Sequence, residues 1–211
     1  MPENNPFRTS VYIDGFNLYY GLLKNSRFKW LDLSALLNLY LDQNINNIVT
    51  IKYFTAKVKS RSIDPDQHIR QSLYLRALKT IPNLEIIYGH FLSHVIRMPL
   101  ADASGTVEVI KTEEKKSDVN LAVHMLHDAH LNRYDLAVLL TNDSDLAEPV
   151  RIITQELSKK VGVLNPHKNF SKDLVQYAMF KKRIRQNVLV YCQFPDQLTD
   201  LDGSFAKPKK W

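Results

Sequence analysis

Four aspartates carry the chemistry this chain offers. Tyr12-Ile13 leads into Asp14-Gly15-Phe16-Asn17, and Leu136-Ala137-Val138-Leu139-Leu140 leads into Thr141-Asn142-Asp143-Ser144-Asp145, with Lys116-Ser117-Asp118 between them. A carboxylate at the end of a buried apolar run projects into a cleft rather than onto a solvated face. Carboxylates gathered in one cleft repel each other, and a hard cation with oxygen ligands relieves that repulsion. The chemistry favoured is metal-assisted attack on a phosphodiester, with Mg²⁺ or Mn²⁺ as the ion. Each acid also has an ordinary role: Asp14-Gly15 can end a strand in a turn, Asp145 can cap a helix, and Asp118 can favour a helix dipole. Two strand-end clusters and a third acid make a shared site the stronger reading. Asn17 is placed to orient Asp14, to hold a water, or to cap the helix that follows.

Positioning such a cluster requires a sheet whose strands end together. Apolar runs predict strands over 10–13, 48–56, 85–91, 136–141 and 161–164, without clean alternation, as in strands buried on both faces. Helices are predicted between them: one from Asp32 or Ser34 to about 41, one capped by Asp64 with Pro65 in its first turn, one capped by Ser117, then 146–157 and 171–180. Val119, Ala122, Val123, Leu126 and Ala129 form an apolar stripe on the third of these. This alternation predicts an α/β protein, a three-layer α/β/α fold with a mainly parallel central sheet. If the strand order is 3-2-1-4-5, Asp14 meets Asp143 and Asp145 where the order reverses, the usual place for a ligand. Residues 93–100 and 106–111 flank Ala101-Asp102-Ala103-Ser104-Gly105 and predict an inserted β-hairpin arm at 92–112. The expected organisation is one domain over 1–191 and a C-terminal tail over 192–211, disordered beyond about Gly203, the alternative being that Trp211 docks on the domain as a lid or cradles a base.

The 211 residues hold 28 Lys and Arg against 22 Asp and Glu, a net charge of +6 with a pI near 9.3. A basic protein that concentrates its acids in one place suits a polyanionic partner. Cys192 is the only cysteine, which excludes an intrachain disulfide and a cysteine-rich zinc site. Residues 1–10 lack a signal pattern, and no apolar run nears the ~20 residues of a membrane helix, so a cytoplasmic protein with no membrane partner is expected.

Other signals are weaker. His124-Met125-Leu126-His127-Asp128-Ala129-His130 invites a zinc reading but lacks cysteine and a metalloprotease glutamate; a polar helix face is the better reading. Lys52, Tyr53, Phe54, Lys57, Lys59 and Arg61 follow the second strand toward its active edge, and Lys168, Lys172 and Lys181-Lys182-Arg183-Ile184-Arg185 form a second basic group. Such residues supply salt-dependent phosphate contacts and stacking for unpaired bases, or else Tyr53 and Phe54 are core and the Lys181 run is a solvated helix end. A phosphatase using Asp14 as nucleophile needs a second aspartate where Phe16 stands.

Ile13-Asp14-Gly15-Phe16-Asn17-Leu18, Glu114-Lys115-Lys116-Ser117-Asp118-Val119-Asn120-Leu121-Ala122 and Leu140-Thr141-Asn142-Asp143-Ser144-Asp145-Leu146 resemble, in this order, the three signatures of the NYN domain, a member of the PIN-like nucleases. The resemblance implies a PIN-like fold and metal-dependent cleavage of single-stranded or structured RNA. It carries over Asp14, Asp118, Asp143 and Asp145 as the acidic positions, with Asn17 and Thr141 as polar support. Under the mechanism it implies, Asp14, Asp118 and Asp145 ligate Mg²⁺ or Mn²⁺, and Asp143 is a further ligand or orients water. Lys116, Thr141, Asn142, Lys57 and Lys59 are the expected substrate contacts. His124 stands where many family members have an aspartate, which favours an alternative: an RNA-binding or regulatory protein on a nuclease fold with weak or no cleavage. The hairpin arm is the expected element for substrate selection or for self-association as a homodimer.

Overall fold

The structure, a computed structural model, describes residues 5–211. In chain order its elements are β1 (Phe7–Asp14), α1 (Gly15–Leu18) continuing into a π-turn (Tyr19–Leu23), α2 (Leu33–Tyr40), β2 (Asn46–Thr55), α3 (Gln67–Leu78), β3 (Leu84–Tyr88), β4 (His90–Pro99), β5 (Thr106–Lys115) and α4 (Ser117–His130). There follow β6 (Leu136–Leu140), a 3₁₀ turn (Ser144–Leu146), α5 (Ala147–Gln155), β7 (Lys160–Asn165), α6 (Lys172–Val175), β8 (Phe180–Arg183), a second 3₁₀ turn (Gln186–Tyr191), β9 (Gln197–Asp200) and β10 (Gly203–Ala206).

Six strands form one parallel sheet in the order β3-β2-β1-β6-β7-β8. From β1 the chain winds outward through β2 to β3, then returns to β6 and winds the other way. The carboxyl ends of β1 and β6 therefore part at the reversal and leave a crevice between their loops. Side-chain alternation along β1 divides the core. Val11 and Ile13 pack with Trp30, Leu33, Leu37 and Leu78 around α2 and α3, whereas Tyr12 packs with Leu121, Met125, Val150 and Ile153 around α4 and α5. Central β6 is buried along its whole length, so its run of Leu, Ala and Val has no polar face.

The predicted five strands are present in the predicted order, and a sixth lies beyond them. Residues 171–180 do not make one helix: α6 covers only Lys172–Val175, and Phe180–Arg183 pairs in parallel with β7. The Lys181 run is thus a charged edge strand, which blocks sheet-to-sheet association and hides its β character in the sequence. Phe180 fixes its register, because its ring occupies the space a side chain at Gly162 would need. The third strand ends at Tyr88 rather than at 91, and the chain turns through Gly89 into the β4–β5 hairpin, which spans both flanks of 92–112. Asp64 does not cap α3, which starts at Gln67; it forms an ion pair with Arg70 instead. Asp32 caps α2 as expected, accepting from the backbone N–H of Ser34 and Ala35.

Residues 192–211 are not a loose tail. β9 and β10 pair antiparallel, Phe205 is buried, and Trp30 Nε1 donates to Pro195 O at 2.8 Å. Phe194 and Phe205 meet Trp30 edge to face and Trp211 packs against it at a tilt, while Arg76 holds Asp200 and lies over the Phe205 ring. Trp30 therefore anchors a C-terminal strap whose short, polar strands gave no periodic signal.

Candidate metal centre

Asp14 ends β1 and is buried. Its Oδ1 accepts from Asn17 N at 2.9 Å and its Oδ2 from the Thr141 hydroxyl at 3.1 Å, so the carboxylate is fixed from two loops. Thr141 follows the last residue of β6; its Oγ1 also accepts from Asp143 N at 3.2 Å. Asp143 in turn caps the 3₁₀ turn by accepting from Asp145 N at 3.0 Å. Asp118 lies in the first turn of α4, entered through Lys116 with a φ of 80°. That left-handed residue breaks β5 from the helix and turns α4 toward the strand ends. Ser117 does not cap α4 but spends its hydroxyl on Glu114 Oε1 at 2.6 Å.

One oxygen each from Asp14, Asp118 and Asp143 lies within 4.8 Å of the others, the group of this kind among the described residues. Asp145, expected as a ligand, falls outside it: the turn spends its N–H on Asp143 and its side chain is exposed, though its charge still bears on Asp118. The three carboxylates open into a cleft of about 350 Å³ with Phe16, Asn17, Tyr20, Phe91, Glu114 and His167 in its walls.

Asn17 and Asn142 brace the crevice. Asn17 Oδ1 accepts from Asn142 N at 3.0 Å, and Asn142 Oδ1 accepts from Ser171 N at 2.8 Å. His167 Nε2 sits 3.1 Å from Asn17 Oδ1. An oxygen already accepting from a backbone N–H assigns the imidazole proton to Nε2. Thr141 and Asn142, expected to touch substrate, instead spend the Thr141 hydroxyl on Asp14 and the Asn142 Oδ1 on Ser171. Lys57, Lys59 and Lys116 do not line the cleft; Lys57 lies over the Tyr88 ring. Glu114 and His167 were not singled out from sequence. Glu114 stands in the same motif as Asp118, and His167 follows β7 at the same sheet edge, the signal that could have found it.

His124 is elsewhere. Its ring packs edge-on against Phe54 at 5.6 Å, and Nδ1 lies 3.4 Å from Lys52 Nζ. Asp128 binds Lys52, Tyr12 and Arg133, so the histidine-rich stretch of α4 serves the core and surface rather than a zinc ion.

Burial raises the Asp14 carboxyl above its ordinary range, opposed by the Asn17 N–H. Burial, then the charges of Asp14, Asp143, Glu114 and Asp145, push Asp118 up to about 6. The donor set is all carboxylate oxygen, which suits a hard divalent cation. No lysine or arginine lines this cleft, so within a protein of charge +6 the cleft itself repels phosphate until a cation neutralises it. The metal-free protein should accordingly lose stability as pH rises from about 4 to about 6, where folded Asp118 still holds a proton that the unfolded chain has released. Solvent screening at this exposed side chain limits the loss to about 1 kcal/mol. Urea denaturation in EDTA should show that step in the wild type and a flatter profile in Asp118→Asn; equal slopes would count against the repulsion.

A family model described as NYN domain matches residues 8–181. The chain belongs to the NYN domain family. That places it in the PIN-like nuclease superfamily, whose NYN nucleases typically use divalent metals, and the three converging aspartates of this NYN domain are able to hold one. The 6-hydroxy-3-succinoylpyridine 3-monooxygenase HspA of Pseudomonas putida is 31% identical in an alignment of 242 positions that covers 99% of this chain and 77% of the relative. A crystal structure of a Vibrio parahaemolyticus protein of unknown function shares the fold at a TM-score of 0.58 and 21% identity, covering 89% of this chain and 98% of the other. No helix among the described residues is long and apolar enough to cross a membrane.

Proposed function

We propose that this NYN-domain protein is a metal-dependent endoribonuclease. The observation that supports it most is the convergence of Asp14, Asp118 and Asp143 from the ends of β1 and β6 and the start of α4 into one open cleft. These three would hold Mg²⁺ or Mn²⁺, which when bound neutralises phosphate charge and lowers the pKa of water. Asp143 takes the ligand place expected for Asp145, which stands at the rim and adds negative charge. Asn17 and Thr141 hold Asp14 in one orientation, so little reorganisation is needed when the ion and phosphate arrive. His167, fixed by Asn17 through its Nε2, adds a polar ring to the cleft wall beside these ligands.

The test is cleavage of end-labelled single-stranded RNA by the full chain in Mg²⁺, Mn²⁺ or EDTA, beside Asp143→Asn and Asp145→Asn. Cutting should require metal, and the loss at Asp143 should exceed that at Asp145. Binding without cutting in either metal would replace this reading with an RNA-binding protein on a nuclease fold. The match with the Pseudomonas relative over 99% of this chain favours a second reading, in which the chain binds the hydroxypyridine acid in that relative's name. Calorimetric titration with 6-hydroxy-3-succinoylpyridine decides it: saturating heat supports this reading, and none up to millimolar ligand removes it.

A further inference from the structure

Behind the aspartates lies a second cavity, of about 140 Å³, between the π-turn, α3 and the C-terminal strap. It adjoins the acidic cleft across a shared wall, for Phe16, Tyr20 and Phe91 line both. Phe16 and Phe91 meet edge to face at 5.6 Å and form the partition. The volume falls below the roughly 300–1,000 Å³ of drug-sized sites and suits one ring system. Deeper in, Tyr74 and Trp211 continue the aromatic wall, 5.9 Å apart.

The walls are also cationic. Arg70 lines the cavity with Lys29 and Arg61. Its Nη2 is held by Asp64, but its Nη1 is buried without a hydrogen-bond partner. A buried guanidinium nitrogen left unspent is uncommon, since buried polar groups are nearly always paired. Lys29 donates to Ser26 O, and burial together with the nearby Arg70 charge lowers its pKa. Asp64 is the carboxylate facing these cations. The two glutamines on the same wall, Gln67 and Gln71, have their side-chain NH2 groups engaged by the carbonyls of Lys59 and Ala56.

We infer that this cavity is a nucleotide pocket, which stacks one unpaired base of the RNA against its aromatic walls and takes an adjoining phosphate on Arg70. The chemistry recognised is an aromatic ring carrying an anion, and the wall this cavity shares with the acidic cleft makes that ring a neighbour of the phosphodiester to be cut. Base–aromatic stacking is tolerant of sequence, and a guanidinium fork matches phosphate geometry. The inference rests on reading the acidic cleft as one for RNA. It explains why the basic groups lie outside that cleft: the carboxylates hold the metal, and the cations beside it hold the substrate.

The full chain in EDTA, titrated calorimetrically with AMP, UMP, adenosine and inorganic phosphate, tests it. AMP or UMP should bind at least ten-fold more tightly than adenosine or phosphate, and Arg70→Gln should weaken the mononucleotide at least ten-fold. Because Arg70 also pairs with Asp64, Tyr20→Ala serves as a second variant; its side chain is 58% exposed, so its removal spares the core. It should weaken binding several-fold with an unchanged melting curve. Mononucleotides that bind no better than phosphate, or equally well in both variants, overturn the pocket. RNA cleavage with no mononucleotide binding removes the pocket alone, whereas Arg70-dependent binding with no cleavage in any metal keeps the pocket and removes the nuclease. Oligonucleotides with 5′-phosphate or 5′-hydroxyl ends then separate a terminal from an internal nucleotide.

Discussion

Asp14→Asn is expected to cut Mg²⁺- or Mn²⁺-dependent RNA cleavage by more than about 100-fold, the upper range for losing a group that merely supports a metal ligand. The melting temperature in EDTA should hold steady or rise. The amide retains an oxygen for the Asn17 N–H and can turn its NH2 toward the Thr141 hydroxyl, so both fixing contacts have substitutes. What it loses is charge. In the metal-free protein that charge is a liability, since burial already pushes the Asp14 carboxyl up and the Asp143 charge adds to it. With metal present the same charge would be the most enclosed of the three proposed ligands. Stability and activity should therefore move apart: cleavage collapses, the EDTA melt does not, and the stabilisation that Mn²⁺ gives the wild type disappears. A variant that still cut RNA within a few-fold of wild type would remove Asp14 from the site, and one that unfolded would show the carboxylate to be structural.

The crevice was legible in the sequence because strand-end polarity is a strong local signal. Asp14 and Thr141 follow uninterrupted apolar runs, and parallel strands of a doubly wound sheet end together. Choosing between Asp143 and Asp145 was beyond the sequence, because both are acids in one short turn. Their positions separate them: an Asp143 oxygen lies within 4.8 Å of oxygens of Asp14 and Asp118, a group that does not include Asp145. Thr141 and Asn142 misled for a related reason: polar side chains at a strand end bind substrate or brace the loops, and only geometry shows which. The β8 strand was hidden by its lysines, whose exposure at an edge outweighs any β-pattern. The strap and the cavity under it depend on contacts between residues more than a hundred positions apart, such as Trp30 with Pro195, which no window of sequence spans.

The largest effect on stability is expected far from the metal. Asp128 is buried on α4, yet its carboxyl sits below the ordinary range: burial opposes the charge, but hydrogen bonds from Lys52, Tyr12 and Arg133 outweigh it. Lys52 projects from β2 and is itself buried, 2.5 Å from Asp128 Oδ2, and the Tyr12 hydroxyl donates to the same oxygen at 2.8 Å. Asp128→Ala strands a buried ammonium and a buried hydroxyl, at a cost of about 3–5 kcal/mol, or roughly 10 °C of melting temperature for a chain of this size. Asp128→Asn keeps an acceptor for Tyr12 but leaves the Lys52 charge unbalanced, so it should recover only part of that. Pairing Asp128→Ala with Lys52→Met should restore most of the loss, because no charge is then left uncompensated. Because the folded carboxyl is depressed, this contribution is present above the ordinary aspartate pKa and fades as pH falls through the folded value, so the network should also mark the onset of acid unfolding. Urea denaturation of the single and double variants at neutral and acid pH checks each step, and a cost below about 1 kcal/mol for Asp128→Ala would mean that the pair contributes no more than a surface ion pair. Asp118 begins the helix that Asp128 anchors to β1 and β2, so loosening this network should also weaken metal binding at a cleft that no residue of the network touches.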